Sequence, residues 1–408
     1  MDEIIAPIAE PTPAKPGEPH PTTAAQALKP APGAAPHHVF LVDGSGFIFR
    51  AYHALPPLSR SDGTPTSAVL GFSNMLAKLL SETDADHIAV VFDASGRSFR
   101  NRIYDQYKAQ RPDPAPDLVP QFALVRRATA AFGVCQIELA EFEADDLIAT
   151  YARHAVEAGA KVTIVSSDKD LMQLVTDKVT MLDPIKNRPI GDAEVREKFG
   201  VGPEKVIDVQ ALFGDSIDNV PGVKGISAET AAQLVNEFGD LDTMLIRAQE
   251  TAAFDNFASQ KVHHLEATIY KIAGKEFNIG STKQLGEVIF DKLKIPGGRK
   301  SKTGNYAVAS EVLKSLAANG FEIAALILGW RFYSKLPAYA DLLRNQAPQA
   351  RLSKELVKLD EDVPLPCLDP VIETLDGIDE RVGARGGEGR DLRYRRLRPL
   401  GRRGGGNA

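Results

Sequence analysis

Nine acidic residues stand either at the ends of apolar, strand-like runs or at the heads of helix-like ones: Asp43, Asp93, Glu143, Asp145, Asp146, Asp168, Asp170, Asp215 and Asp218. Two carboxylates about 4 Å apart repel by roughly 4 kcal/mol at an effective dielectric near 20. A cluster this dense therefore needs cations, and an all-oxygen donor set favours magnesium or manganese over zinc.

The surrounding elements explain how such scattered acids could meet. HVFLVDGSG, IAVVFDASG and VTIVSSDKD each read as a short buried strand that ends at an acid, and EFEADDLIATYARHA reads as an acid-led helix. Between His37 and about Phe213, strand-like and helix-like runs alternate: HVFLVD, IAVVFD, VPQFALVRRATAAFG, VCQIEL, ADDLIATYARHAVEAG, KVTIVS and VTMLD. That alternation predicts an α/β fold, a doubly wound and mostly parallel sheet with helices on both faces. In such a sheet ligands enter the crevice beyond the carboxyl ends of the strands, so the acids would converge there. From Pro203 the pattern changes to PEKVIDVQALFG, the tight loop DSIDNVPGVKGIS and AETAAQLVNEFG. Two short helices around a glycine-rich turn suit a phosphate backbone, which they would meet with backbone N–H groups and a helix N-terminus.

Composition sets the bounds. The 408 residues are 43% hydrophobic and 25% charged, with a formal charge of −6, which describes an ordinary globular chain of two or three domains. An acidic metal site contributes many of those negative charges, so the net value does not exclude a nucleic-acid partner. Two distant cysteines, Cys135 and Cys367, exclude a disulfide framework and a cysteine-based zinc site and fit a reducing cytoplasm. No apolar run approaches a membrane span, and no membrane partner is expected. Residues 1–36 are rich in Pro and Ala and nearly free of large apolar side chains, so they are expected to form a disordered leader.

The segments LVDGSGFIFRAYHALPPL, VVFDASGRSFRNRIYDQYKAQRP, FEADDLIATYA, SSDKDLMQLV and ALFGDSIDNVPGVKGI, in this order, resemble the 5′-nuclease (flap endonuclease-like) domain of bacterial DNA polymerase I. The resemblance runs from about His38 to Ala248. It implies a PIN-like nuclease core over 37–200 and a helix-hairpin-helix-type DNA-binding subdomain over 201–250. It also implies two or more Mg2+ or Mn2+ ions held by the nine acids named above. Arg100, Lys108 and Arg111 match basic positions that would neutralise the scissile phosphate. Tyr104 and Tyr107 would stack on bases, and Arg50, Gly222, Lys224 and Gly225 would touch DNA. Tyr52 and His53 also match, as packing or substrate-placing groups. The implied activity is two-metal hydrolysis of phosphodiesters in branched, nicked or flapped DNA and in RNA-primer/DNA hybrids, by a monomer in the cytoplasm.

The chain departs from that pattern in three places. Where the family usually carries GxGxKTA in the turn, this chain has Gly225, Ile226, Ser227, Ala228, Glu229 and Thr230. A glutamate there should repel phosphate, with Lys224 compensating in part. Residues 251–342 instead resemble the segment leading into the thumb of the polymerase portion, and 343–370 resembles the end of the nuclease domain again. The polymerase palm has no counterpart, so DNA synthesis is not expected. The Arg/Gly-rich tail, 371–408, is expected to be disordered and reads best as out-of-frame translation. The competing reading is a catalytically weak DNA-binding module with its closing helices disturbed. A haloacid-dehalogenase-type phosphatase is set aside because Asp43 is followed by Gly44 and Ser45, where an Asp-x-Asp pair is needed.

Overall fold

The computed structural model describes residues 37–365 except 84, 95 and 301–303. The expected leader 1–36, the expected tail and Cys367 lie outside the described residues.

The alternating runs form a six-stranded sheet of order β3-β2-β1-β4-β5-β6. Its strands are β1 (His38–Asp43), β2 (His87–Val91), β3 (Cys135–Ile137), β4 (Lys161–Val165), β5 (Val179–Asp183) and β6 (Arg188–Ile190). All neighbours are parallel except β5 and β6, which pair antiparallel. β1 lies in the middle, buried on both faces apart from its first residue, as a continuous Val/Phe/Leu run demands. Helices α1 (Gly44–Ala54), α2 (Ser67–Glu82) and α4 (Val119–Ala131) cover one face over a core of Phe40, Val42, Phe72 and Val90, while a single turn, α3 (Arg100–Ile103), lies between α2 and α4. α5 (Ala144–Glu157) covers the other face over Val39, Leu41, Ala89 and Ile164. The strand order reverses between β1 and β4, and that reversal opens the crevice where ligands enter a doubly wound sheet.

A short helix, α6 (Asp192–Phe199), leads to the second unit: α7 (Val206–Phe213), a loop, α8 (Ala228–Phe238) and α9 (Leu241–Gln249). Ser227 caps α8 by accepting from Thr230 N–H, and Asp240 caps α9 in the same way.

A helical lobe follows. α10 (Thr251–Ala273) runs outward and α13 (Glu322–Asn345) returns beside it; between them lie α11 (Thr282–Gly286), a π-type turn (Glu287–Lys292) and α12 (Ser310–Ala318). The far end of the lobe has its own core of Ile269, Leu285, Ile289, Leu313, Ile323 and Ile327, all buried, so it folds as a packed body. Its roots belong instead to the core shared by α5, the sheet and α7–α9. Phe254 stacks on Phe238 at 5.2 Å, and Leu336 and Leu343 enter the same cluster. α14 (Ala347–Val357) then packs against α7, and residues 358–363 run back over the sheet unit, burying Leu359 and Val363.

Candidate active site

The first group of acids gathers at the point of strand reversal. Asp43 ends β1 and caps α1, accepting from Gly46 N–H at 2.7 Å and from the Ser166 hydroxyl at 2.8 Å. A Cβ on Gly46 would sit 2.5 Å from the Asp43 carboxylate, which explains the glycine three residues on. Burial pushes the Asp43 carboxyl up to about 6, the two hydrogen bonds oppose this, and Asp93 and Asp168 add to it. Asp93, just past β2, accepts from Ala144 N–H at 2.8 Å and so ties the second strand to the head of α5. Asp145, in the first turn of α5, is raised well above the usual carboxylate range by burial and then by Asp168, Asp43 and Asp93. Four acids from four elements therefore share one electrostatic field.

A second group adjoins it. Asp170 opens a 3₁₀ turn (Asp170–Leu174) and is pushed up to about 6 by burial first and Asp168 next, although Lys169 and the Gln210 amide favour its anion. Asp215 is held below the usual range: burial opposes the charge, but Lys169 and the Ile217 N–H outweigh it. Glu143 is likewise held low against its burial by Lys108, 2.9 Å away, and Arg100. Asp218 receives Arg111, and the Tyr107 hydroxyl lies 3.1 Å from Glu143 and 3.4 Å from Asp218. Glu143, Asp145, Asp170, Asp215 and Asp218 line a single cleft.

Some predicted site residues stand elsewhere. Asp146 is fully buried against Arg100, whose Nη1 also lies 3.5 Å from Glu143. Its two oxygens take Nη1 and Nη2 of the Arg100 guanidinium end-on at 2.7 Å each, and they also accept from Asp360 N–H and Glu143 N–H. With four donors on it, Asp146 has no lone pair to offer a cation. Arg100 is only 1% exposed and donates further to the Leu356 and Lys358 carbonyls, so it is not available to a phosphate. From the third position of α5 Asp146 reaches back to the Glu143 N–H, the returning half of a capping box.

Tyr107 is 4% exposed and is a buried hydroxyl donor, not a stacking surface, whereas Tyr104 is half-buried beside it. In the turn, Gly222 is buried and its N–H donates to the Ser353 hydroxyl at 2.9 Å, so that donor is spent inside the protein. The Lys224 backbone is bracketed by the Gln346 amide, though its side chain is exposed like Gly225. Glu229 is paired with Lys314 of α12 at 2.8 Å, which answers the charge expected to repel phosphate. Arg50 lies half-buried on α1. Gln210, Gln173, Ser353 and Tyr107 as a donor were not foreseen; single polar residues in amphipathic runs carry no local mark of their distant partners.

The donor set suits hard divalent cations. It is all carboxylate, and Asp43 and Asp145 are held towards their protonated forms by burial first and by the charge of neighbouring acids next. Among the described residues no three acids stand in a ready ligand shell. Instead Lys108, Lys169 and Arg111 lie against Glu143, Asp215 and Asp218. These flexible side chains supply part of the positive charge the cluster requires.

Comparison with known sequences agrees with this geometry. The family profile "5′-3′ exonuclease, N-terminal resolvase-like domain" matches residues 38–200, and "5′-3′ exonuclease, C-terminal SAM fold" matches 201–273. A 5′-3′ exonuclease of Aquifex aeolicus is 40% identical over 207 residues, 51% of this chain and 72% of that protein. The chain belongs to the 5′-3′ exonuclease family. A DNA polymerase I of Rhizobium leguminosarum is 60% identical over 221 residues, 52% of this chain but only 22% of the relative. The chain thus spans about a fifth of that longer protein. The profile "DNA polymerase family A" matches residues 248–356, taking in the helical lobe and α14. Among solved structures, T5 5′-exonuclease with divalent zinc bound is 19% identical with a TM-score of 0.43, covering 80% of this chain and 100% of that one. Among the described residues of this exonuclease-family chain, no helix is long and apolar enough to cross a membrane.

Proposed function

We propose that this chain hydrolyses phosphodiester bonds at the 5′ ends and flaps of DNA, and of RNA primers paired to DNA, using two or more Mg2+ or Mn2+ ions. The carrying observation is the convergence of carboxylates from the head of α5, the 170–174 turn and the 215–218 loop on one cleft, with Asp43 of β1 in the electrostatic field of Asp145 and with Lys108 and Arg111 beside Glu143 and Asp218. Asp43, Asp93, Asp145 and Asp168 would hold one part of the cation set, and Asp170, Asp215, Asp218 and Glu143 the other. When bound, such ions lower the pKa of a water and neutralise the reacting phosphate.

The chain's own residues supply the rest. Lys108 and Arg111 stand where a phosphate entering the cleft would meet them, and they are free to turn from carboxylate to phosphate once cations answer the acids. Tyr107, buried, fixes the orientation of Glu143 and Asp218. The exposed Lys224 side chain and the α7–α8 loop offer a contact to duplex beyond the cleft. Nucleotide polymerisation is not proposed, since the polymerase-like similarity is confined to residues 248–356. We place the protein in the cytoplasm, acting as a monomer.

A second reading, a DNA-binding module with weak catalysis, draws support from the turn, where the Gly222 and Lys224 N–H groups are occupied by Ser353 and Gln346. One experiment separates the two. The protein is incubated with a 5′-labelled flap duplex in magnesium and in EDTA, beside Asp145→Asn. Short labelled products are expected only from the unmodified protein with metal; binding without cleavage, or equal cleavage by the variant, would leave the second reading standing.

A further inference from the structure

Residues 353–363 form a strap that touches every acid-bearing element on one side of the cleft. Gln173 bridges it to the 3₁₀ turn: its Nε2 donates to the Asp170 carbonyl at 2.9 Å and to the Val357 carbonyl at 3.0 Å, and its Oε1 accepts from Leu359 N–H at 3.1 Å. Thr150 bridges it to α5, with its hydroxyl 3.0 Å from the Asp360 carbonyl, 2.9 Å from the Asp146 carbonyl and accepting from Val363 N–H at 3.3 Å. Between these two, Arg100 joins the Leu356 and Lys358 carbonyls to Asp146 and approaches Glu143 at 3.5 Å. At the near end the Ser353 hydroxyl takes the Gly222 N–H.

We infer that this strap holds the acids in register, and that Gln173 and Thr150 are positioning residues for the reaction proposed above, on which this inference rests. Each bridges the strap to the backbone of an element whose first residues carry cleft acids: Asp170 in the turn, Glu143 and Asp145 in α5. Neither touches the cleft itself. A packing role alone would need apolar contact, whereas these two side chains spend all their polar atoms on strap backbone and acid-bearing backbone. A misplacement of 1 Å at a reacting centre can cost on the order of 10²-fold in rate, so loosening this stitching should lower turnover.

The test uses the full chain with Gln173→Leu and Thr150→Val, singly and together, and Thr150→Ser as the conservative control. Mn2+ binding to the metal-free protein is followed by titration calorimetry, single-turnover cleavage of a labelled flap duplex is measured in saturating Mg2+, and unfolding is followed in urea. Groups that orient metal-binding residues typically contribute 10–100-fold, so Mn2+ affinity and rate should each fall about tenfold or more in the double variant. Duplex affinity in EDTA should stay level, and Thr150→Ser should match the parent. A folded double variant with Mn2+ affinity and rate within twofold of the parent overturns the inference. So does a loss in rate that only follows the loss of folded protein. Should the parent bind Mn2+ but cleave nothing, the hydrolytic reading fails, and the Mn2+ arm alone decides the strap: a tenfold loss supports it and equal affinity overturns it.

Discussion

Lys108 and Glu143 meet across the cleft, Nζ to Oε1 at 2.9 Å, and Lys108 reaches that position from a left-handed backbone, φ +56°. Its own N–H donates to the Asp218 carbonyl at 2.9 Å, and the Asn219 amide, on another left-handed residue, returns a bond to the Gln106 carbonyl. The 104–111 segment is thereby docked on the 215–219 loop. Non-glycine residues in this region cost on the order of 1–3 kcal/mol, so the fold sustains strain to keep this lysine over two carboxylates.

Replacement of Lys108 by Met should therefore separate charge from backbone. Cleavage is expected to fall on the order of 10²-fold, the usual cost of removing one preorganised electrostatic group. The metal-free protein should melt lower, because Glu143 and Asp218 lose a counter-charge, and added Mg2+ should recover more of the melting temperature than in the parent. Unchanged single-turnover rates would remove Lys108 from the reaction.

Stability should depend on pH with two opposing signs. Asp43 and Asp170 titrate near 6 in the folded protein against 3.8 when unfolded. The folded state binds more protons between those values, so their contribution is fully present below about pH 4 and is lost as the pH rises through about 6. For shifts of this size the loss is on the order of 2–3 kcal/mol per group as an upper limit. Glu143 and Asp215 are shifted downward, so their contribution is present above pH 4.5 and 3.8, respectively, and lost on acidification. Melting in EDTA should thus peak between about pH 4 and 5, and divalent cations should move the peak towards neutrality. A metal-free melting temperature that climbs steadily to pH 7 would refute the repulsive cluster.

The Arg100–Asp146 pair gives a third expectation. Removing one partner of a buried ion pair strands a charge, at about 3–5 kcal/mol, whereas replacing both by apolar groups of similar volume is often neutral. Urea unfolding should accordingly show Arg100→Met strongly destabilised and the double variant with Asp146→Leu largely restored. Equal destabilisation of the single and double variants would mean that the bonds to Leu356 and Lys358, not the ion pair, hold this region.

At Gly222, φ is +61°, and an added Cβ would stand 2.5 Å from Gly214 N, backbone that cannot yield. Gly222→Ala should destabilise by at least about 1–3 kcal/mol, and because the loop also carries Asp215 and Asp218, metal-dependent cleavage should fall with it. Calorimetric melting beside the flap assay checks both, and a variant that melts with the parent would show that the loop can move.

Much of this was legible beforehand, for a reason particular residues make plain. Val39–Val42, Ala89–Val91 and Val162–Val165 are short apolar runs with an acid a few residues past their ends, and a parallel sheet leaves such acids few places to go. The same local reading could not tell Asp145 from Asp146. Adjacent positions on a helix point about 100° apart, so one faces the cleft and the other the core, and only the return of residues 356–360 decides which. The bonds of Arg100 were illegible for the same cause: its partners Leu356 and Lys358 lie some 250 positions away. In the turn, spacing indicated the glycines but not that Ser353 and Gln346 would occupy their backbone donors.

The helical lobe leaves and rejoins the nuclease unit at one place. Arg344, at the end of α13, donates to the Ala248 carbonyl at 2.6 Å, just before α10 begins, and Lys261 and Tyr333 face each other farther along the two helices. A polypeptide graft whose two stems emerge side by side can be gained or lost without moving its host, because a few residues suffice to reconnect the stumps. The far part of the lobe, with its own core, is in that sense a detachable cassette, whereas the stems at Phe254, Leu336 and Leu343 remain part of the host.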